Sequence, residues 1–435
     1  MPRSARAQSR GKKNPQSGNS VESPQPSENH TVIFIEPFYG GSHKQLVDML
    51  QEQIVQNSSI KTVLYHLPDK KWHWRLHCGS LYFAEKVAPL SPTRTHTLFC
   101  SSMFNLAEFL ALRPEFCAVR KVIYFHENQL AYPSRQEDRI KREERDFHYG
   151  YAQIMSALAA DVVVWNSDFN MHSFLTKIDS HLKYLPSSQK LGKGSLSDKI
   201  LSKSKVLYFP LHLPEPVVPD ESPPGTLLHV VWNHRWEHDK GPDAFFSVVE
   251  KLIDSGVRFK LSVVGESFGA SPKVFETALS KIKESNVCTL RHWGYLSKDE
   301  YYRVLHDADI VVSTSNHEFF GVSVLEAVSR GCYPLVPNRL VYPEIYPATF
   351  LYNTDNQLYK QLRQFCKYSE RFRREKDNLL REIDLQNYSW DNLKHKYVDC
   401  LIVKNKKGTR AAKLLIDCIF AIALLSALVY HFREL

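Results

Sequence analysis

Residues 309–334 constrain this chain more than any other stretch. A β-branched run, Asp309-Ile310-Val311-Val312-Ser313-Thr314, has the composition of a strand buried on both faces. It passes through Asn316-His317-Glu318-Phe319-Phe320-Gly321 into an apolar-periodic segment at 322–329 that reads as a helix. Glu318 falls in the loop and Glu326 lies about two turns further on at ~3.6 residues per turn, so both carboxylates can face one side of the strand ends. The N–H groups of Val322 and Ser323 stand where the helix begins, and such donors attract phosphate. A carboxylate, a glycine, a phosphate-binding helix start and a second carboxylate suit a sugar nucleotide, with the first acid on sugar hydroxyls and the second on a ribose diol. An ordinary strand-to-helix connection with two solvated acids has the same spacing, so the reading needs support from the rest of the chain.

That support begins with a repeated pattern. Apolar runs at 31–36, 61–67, 96–101, 121–125 and 161–166 read as strands, separated by helical patterns such as 103–112. The pattern restarts with strands at 226–232, 258–264 and 288–291 and helices at 243–255 and 299–308, and it ends in a late strand and two amphipathic helices. Strands alternating with helices predict an α/β fold built on parallel, doubly wound sheets. At 435 residues and 43% hydrophobic the chain can bury two cores. The predicted organisation is a disordered basic arm at 1–29, a first Rossmann-like domain at 30–212 with a polar surface insertion at 181–205, and a proline-rich linker at 213–225. A second Rossmann-like domain follows at 226–390, then a crossover helix back to the first domain at 391–410, and an apolar tail at 411–435.

Candidate site residues sit at predicted strand ends, outside which ligands bind in open α/β sheets. Gly40 and Gly41 form a glycine turn after the first strand, with Ser42 placed to cap the next helix. His126 follows the fourth strand. Arg235 and Lys240 lie in one strand-to-helix loop, suited to neutralising a departing diphosphate, with Pro242 at the first helical turn. Lys70, Lys71, Trp72 and Trp74 interleave charge with aromatic rings, a composition that meets phosphates and stacks on bases. The basic run at 135–145 contains acids as well and reads as a solvated helical face. A formal net charge of +9 points weakly to an anionic partner, and eight scattered cysteines without a CxxC pair fit neither a zinc site nor a disulfide framework. A reducing compartment follows.

The segments EPFYGGSHKQL from Glu36, YFHENQLAYP from Tyr124, WNHRWEHDKGPD from Trp232 and NHEFFGVSVLEA from Asn316 together resemble the tRNA-queuosine mannosyltransferases, a family of retaining GT-B glycosyltransferases. The resemblance covers roughly residues 31–400. It implies a GT-B fold, two Rossmann-like domains facing a central cleft, and transfer of mannose from GDP-mannose to the queuosine base at the anticodon wobble position of tRNA(Asp), giving an α-linkage. It further implies a catalytic centre of His126, Arg235, Lys240 and Glu318. Gly40, Gly41, Val322, Ser323 and Glu326 would hold the donor, and His292, Trp293 and Gly294 would frame its base. No cofactor or metal is expected beyond the donor itself, and the expected location is the cytoplasm or the nucleus. Two alternatives stay open: a GT-B transferase with a lipid or protein acceptor, and a catalytically silent nucleotide-sugar or RNA-binding module. Membrane contact rests on the apolar run 414–430, which Asp417 interrupts and which falls short of the ~20 apolar residues of a spanning helix.

Overall fold

The computed structural model describes residues 30–56, 60–131, 139–185, 192–214, 225–267 and 271–402. The expectations for the arm at 1–29, for 215–224 of the linker, for the side chains at 135–145 and for the tail at 411–435 lie outside the described residues. Among those residues no helix is long and apolar enough to cross a membrane.

The first sheet contains β1 (His30–Tyr39), β2 (Ile60–Pro68), β3 (Thr95–Ser101), β4 (Arg120–Phe125), β5 (Val162–Trp165) and β6 (Ser204–Val206). Its order is β2-β1-β3-β4-β5-β6. The second contains β7 (His229–Trp232), β8 (Phe259–Val264), β9 (Cys288–Gly294), β10 (Ile310–Val312), β11 (Tyr333–Pro337) and β12 (Leu351–Tyr352), in the order β12-β11-β10-β7-β8-β9. All pairings within both sheets are parallel. The sequences VVVW, HVVW and IVV of β5, β7 and β10 bury every residue, as strands covered by helices on both faces must. His229 tolerates this position because its ring meets Ser262 Oγ at 2.7 Å and the Asp307 carbonyl at 3.2 Å. Burial lowers its pKa to about 4, so it is neutral. The helix Pro242–Asp254 begins at the expected proline and covers the second sheet with Phe245, Phe246, Val248, Val249 and Leu252, a helical stripe of apolar residues.

Three local expectations are corrected. Of the stretch 181–205, expected as a surface insertion, the described residues from 192 on belong to the fold: they form the helix Ser195–Leu201 and enter β6, which pairs with β5, while 186–191 lie outside the described residues. Ser42 does not cap the helix Gly41–Val55, whose N-cap is Gly40 with no side-chain bond. The helix expected from 103 starts at Leu106, because the Asn105 side chain accepts from the Glu108 amide at 3.2 Å and fixes the start there.

The last described helix, Trp390–Leu401, returns to the first half of the chain. Tyr397 Oη donates to the Tyr208 carbonyl at 2.8 Å, and Arg120 Nε donates to the Cys400 carbonyl at 3.0 Å. Two further ties join the halves beside the strand ends. Ser167 Oγ donates to the Phe319 carbonyl at 2.6 Å. The amides of Asp168 and Phe169, which open the helix Asp168–Leu175, each donate to the Glu344 carboxylate at 2.8 Å.

Candidate active site

Where neighbouring parallel strands send their connections in opposite directions, their loops part and leave a crevice at the carboxyl ends. That switch lies between β1 and β3 in the first sheet and between β7 and β10 in the second. Lys240, Glu318, Gly40 and Gly41 lie in the loops that leave these strands, whereas His126 follows β4, His292–Gly294 end β9 and Lys70–Trp74 follow β2.

In the second sheet, the loop after β7 carries Lys240 and the loop after β10 carries Glu318. Lys240 is buried, and its ammonium donates to Glu318 Oε2 at 3.1 Å and to the His317 carbonyl at 3.1 Å, and pairs with Asp239 Oδ2 at 3.4 Å. The loops are locked by close backbone approach. Gly241 has φ +65, and a Cβ there would meet the Thr314 carbonyl oxygen at 2.3 Å, so only glycine fits. Thr314 Oγ1 donates to the Lys240 carbonyl at 2.9 Å and accepts from Trp232 Nε1 at 3.1 Å, which ties both loops to the core. Burial works against the Lys240 charge, but the Glu318 and Asp239 carboxylates outweigh it and raise its pKa. Burial likewise opposes the Glu318 charge, and the Lys240 ammonium with its hydrogen bonds holds that pKa down at about 2. His234 and His317 flank the pair. Burial first and Lys240 second push them to about 3 and about 4, so both are neutral.

Arg235, in the same loop, is different: its side chain is 50% exposed and pairs with Glu237 at 3.3 Å. Val322 and Ser323 open the helix Val322–Val328 as expected, and the Ser323 carbonyl accepts from Asn233 Nδ2 at 2.7 Å. Glu326 accepts from Tyr301 Oη at 3.3 Å and Tyr302 Oη at 3.4 Å, and burial raises its pKa. Its carboxyl reaches a cavity of about 510 Å3 whose wall also includes Gly41, Lys44, Lys298, Tyr302 and Arg330. Residues from both sheets thus line one cavity. His292, Trp293 and Gly294 end β9, but the Trp293 ring packs against Trp236 and Phe246, with centroids at 5.3 and 5.8 Å. That ring is engaged in the aromatic cluster rather than turned toward a base.

In the first sheet, the two glycines divide their work. A Cβ on Gly40 would fall 1.9 Å from the Asp69 carboxylate, so Gly40 is required by its own neighbour. Gly41, at φ +49, has nothing within 4 Å of that position and leaves backbone open to the cavity. His126 is buried and stacked on His43, with centroids 3.9 Å apart and planes at 27°. Sequence reasoning did not single out His43, Glu36 or Glu127. His43 Nδ1 lies 3.2 Å from Glu36 Oε2, and His43 Nε2 lies 3.3 Å from Glu127 Oε2. Burial alone would push the His43 pKa down, but the two carboxylates hold it up at about 10, so it is an imidazolium. Burial and the charge on His43 push His126 well below the ordinary histidine value.

Ligand-type atoms of Glu36, His43 and His126 lie within 4.8 Å of one another. Stacked rings direct their in-plane lone pairs side by side rather than at one point, and each His43 nitrogen already faces a carboxylate. The contacts of His43 make the group a charge bridge with His126 stacked beside it.

The segment Lys70–Trp74 opens the helix Trp72–Lys86, away from those clusters in the sequence, and it splits in two. Lys70, Lys71 and Trp74 are exposed, Trp74 by 64%. Trp72 instead packs on Tyr149 at 5.1 Å, part of a small cluster with Leu76 and Met103. Lys71 holds a left-handed conformation, φ 55, at the helix start.

Comparison with known proteins agrees with this architecture. Residues 31–211 match the family described as tRNA-queuosine alpha-mannosyltransferase N-terminal, and residues 221–353 match glycosyl transferases group 1. Among solved structures, sucrose-phosphate synthase from Thermosynechococcus elongatus aligns at a TM-score of 0.58 and 13% identity, covering 85% of this chain and 97% of that one. The lipopolysaccharide outer core galactosyltransferase WaaB aligns at 0.55 and 11% identity, covering 85% and 98%. These neighbours establish the GT-B fold. A tRNA-queuosine alpha-mannosyltransferase of Drosophila melanogaster is 41% identical over 376 residues, which cover 85% of this chain and 95% of the relative. With that identity across most of both chains, this chain belongs to the tRNA-queuosine alpha-mannosyltransferase family of glycosyltransferases.

Proposed function

We propose that the chain transfers mannose, with retention, from GDP-mannose to the queuosine base at the wobble position of tRNA(Asp). Membership of the family supports the acceptor and the sugar. The observation that carries the mechanism is the buried Lys240–Glu318 pair at the switch point of the second sheet. Glu318, held ionised by Lys240, accepts hydrogen bonds from sugar hydroxyls in this reading. Glu326 serves the ribose diol, and the Val322 and Ser323 amides face a phosphate. The bond from the sugar C1 to the β-phosphate oxygen breaks while a bond from C1 to the acceptor oxygen forms on the same face. The acceptor proton passes to the departing phosphate oxygen. The transition state is oxocarbenium-like at the sugar, and the charge that grows on the diphosphate is what the protein must stabilise. Arg235, exposed beside the pair, contributes a cation that can engage the leaving group directly, while Lys240 acts through the position of Glu318.

Arg235, with the Val322 and Ser323 amides, supplies the neutralisation that a divalent ion supplies in other transferases, so transfer is expected to survive chelation. The acceptor implies a cytoplasmic or nuclear location, where mature tRNA resides, and the seven described cysteines are free thiols compatible with it.

The deciding experiment incubates the purified chain with labelled GDP-mannose and matched tRNAs with and without queuosine, in buffer and in chelator. Label is expected in the queuosine nucleoside only, and equally in chelator. Label in tRNA lacking queuosine, in lipid or in protein would refute the acceptor, and loss of transfer restored by magnesium or manganese would refute the metal-free reading.

A further inference from the structure

The Glu36–His43–Glu127 bridge stands at the cleft face of the first sheet and has no part in the donor chemistry just described. The His43–Glu36 approach is an ion pair rather than a hydrogen bond, and the two carboxylates stand on segments held by their own neighbours. Glu36 Oε1 accepts from the Phe38 amide and from Ser101 Oγ, each at 2.9 Å, so this carboxylate is committed to its own lobe. The loop bearing Glu127 is held on every side. Asn166 Nδ2 donates to the His126 carbonyl at 2.7 Å, Ser102 Oγ donates to the Glu127 carbonyl at 3.1 Å, and Asn128 Nδ2 donates to Asn170 Oδ1 at 2.8 Å. The Glu127 side chain stays partly accessible, at 24%, and its Oε1 has no protein partner among the described residues. Its charge is felt by His317, the neighbour of Glu318 across the cleft. One oxygen of a firmly mounted carboxylate is thus committed to an imidazolium, while the side chain remains partly exposed to solvent.

A carboxylate so presented is a hydrogen-bond acceptor for a neutral hydroxyl, which reaches it without the desolvation cost a cation would carry. Queuosine has a vicinal diol on its cyclopentene ring, and selecting one hydroxyl of such a pair requires that the other be held. We propose that Glu127 Oε1 binds the hydroxyl adjacent to the attacking one, and that His43, anchored by Glu36, is the positioning residue that aims it. The attacking hydroxyl is then set over the sugar C1 by its neighbour's contact, and no proton need move to Glu127. The inference rests on the proposed acceptor and assigns the protein group that recognises it.

The test compares, in one assay, mannose delivered to queuosine tRNA with mannose delivered to water from GDP-mannose. Glu127→Gln keeps the shape but loses the charge. It is expected to lower the ratio of transfer to hydrolysis on the order of 10- to 100-fold, chiefly through KM for tRNA, as loss of one charge-assisted contact does. Glu127→Asp should recover part of the ratio, and His43→Gln should lower it by less than Glu127→Gln at a melting temperature that still reports a folded chain. An unaltered ratio in Glu127→Gln, or transfer and hydrolysis falling together, would overturn the assignment while leaving the functional reading standing. Should the parent itself deliver no mannose to queuosine tRNA, the functional reading falls, and this assignment with it.

Discussion

Each lobe mounts one buried cation between two carboxylates at the carboxyl ends of its strands, and the two lobes do so with different chemistry. His43 lies between Glu36 and Glu127, and Lys240 lies between Asp239 and Glu318. An imidazolium has two N–H groups on opposite edges of a rigid ring, so it spans two strand ends, β1 and β4, and fixes the distance between them. An ammonium offers three donors from one point, so Lys240 gathers Glu318, Asp239 and the His317 carbonyl around itself and closes the loops after β7 and β10. The neutral companions follow the same division: one stacked histidine, His126, in the first lobe, and two flanking histidines, His234 and His317, in the second. The difference teaches that both lobes keep their cation charged near neutral pH, but the second gathers its loops around one point whereas the first is built to hold a direction.

The strongest way to break this comparison is Lys240→Ala. It strands two largely buried carboxylates without their cation, and removing one member of a fully buried ion pair costs about 3–5 kcal/mol, an upper bound here. The expected outcome is a large fall in melting temperature together with loss of transfer. Next in size is Arg235→Ala. This side chain is half exposed, so its loss should leave thermal unfolding near the parent's while turnover drops by the ~1.5–3 kcal/mol of a charge-assisted contact that strengthens as the diphosphate leaves. Both are read by calorimetry and steady-state kinetics on the same samples. Equal melting temperatures for the two variants would show that Lys240 is not the keystone its contacts describe.

Titration sharpens the comparison further. The folded pKa of His43 is raised to about 10 from 6.5, so its contribution is complete below pH 6.5 and is lost as pH rises toward 10. For Glu318 the folded pKa is depressed to about 2 from 4.5, so its contribution is complete above pH 4.5 and is lost as pH falls toward 2. Denaturant unfolding across pH should therefore show the gap between parent and His43→Gln narrowing on the alkaline side. The gap to Glu318→Gln should narrow on the acid side. A gap that stays constant in either window would remove that ion pair from the description.

The second lobe was far more legible in the sequence than the first, for a physical reason. Lys240 and Glu318 each sit in a loop directly after a β-branched run and directly before a helix, so chain order alone places them at the same strand ends. Glu36, His43 and Glu127 come from two strand ends and a helix, and nothing in local spacing announces that they meet. A signal existed nonetheless: Glu36 closes a run of wholly apolar residues within β1, and a carboxylate at that depth needs a cation, which His43 supplies one helical turn into the next element. The short strand β6 escaped because Ser-Lys-Val has no buried apolar run, and its place is dictated by its neighbour β5. Glu344, which caps the helix Asp168–Leu175 from the opposite half of the chain, has no sequence pattern at all.

The smallest expected effect concerns the outer surface of the first lobe, and it tests whether direction-holding there extends to RNA. Residues two apart on a helix point about 200° from each other, so Trp72 and Trp74 cannot serve one surface, and the structure packs the half-buried first against Tyr149 and exposes the second. The expected tRNA contact therefore narrows to Lys70, Lys71 and Trp74. Single-stranded RNA binding through two lysines releases counterions, with a slope near 0.7 per phosphate neutralised, so Lys70→Ala with Lys71→Ala should flatten the dependence of log affinity on log salt by roughly 1.4. Trp74→Ala should weaken binding by the ~1–3 kcal/mol of one stacked base without altering that slope, whereas Trp72→Ala should lower the melting temperature instead, because it removes a packed ring. Affinity for tRNA titrated from low to moderate salt separates these outcomes. If the double lysine variant keeps both the affinity and the slope of the parent, the helix start is structural, its left-handed Lys71 serving only to turn the chain, and the RNA surface belongs to another part of the lobe.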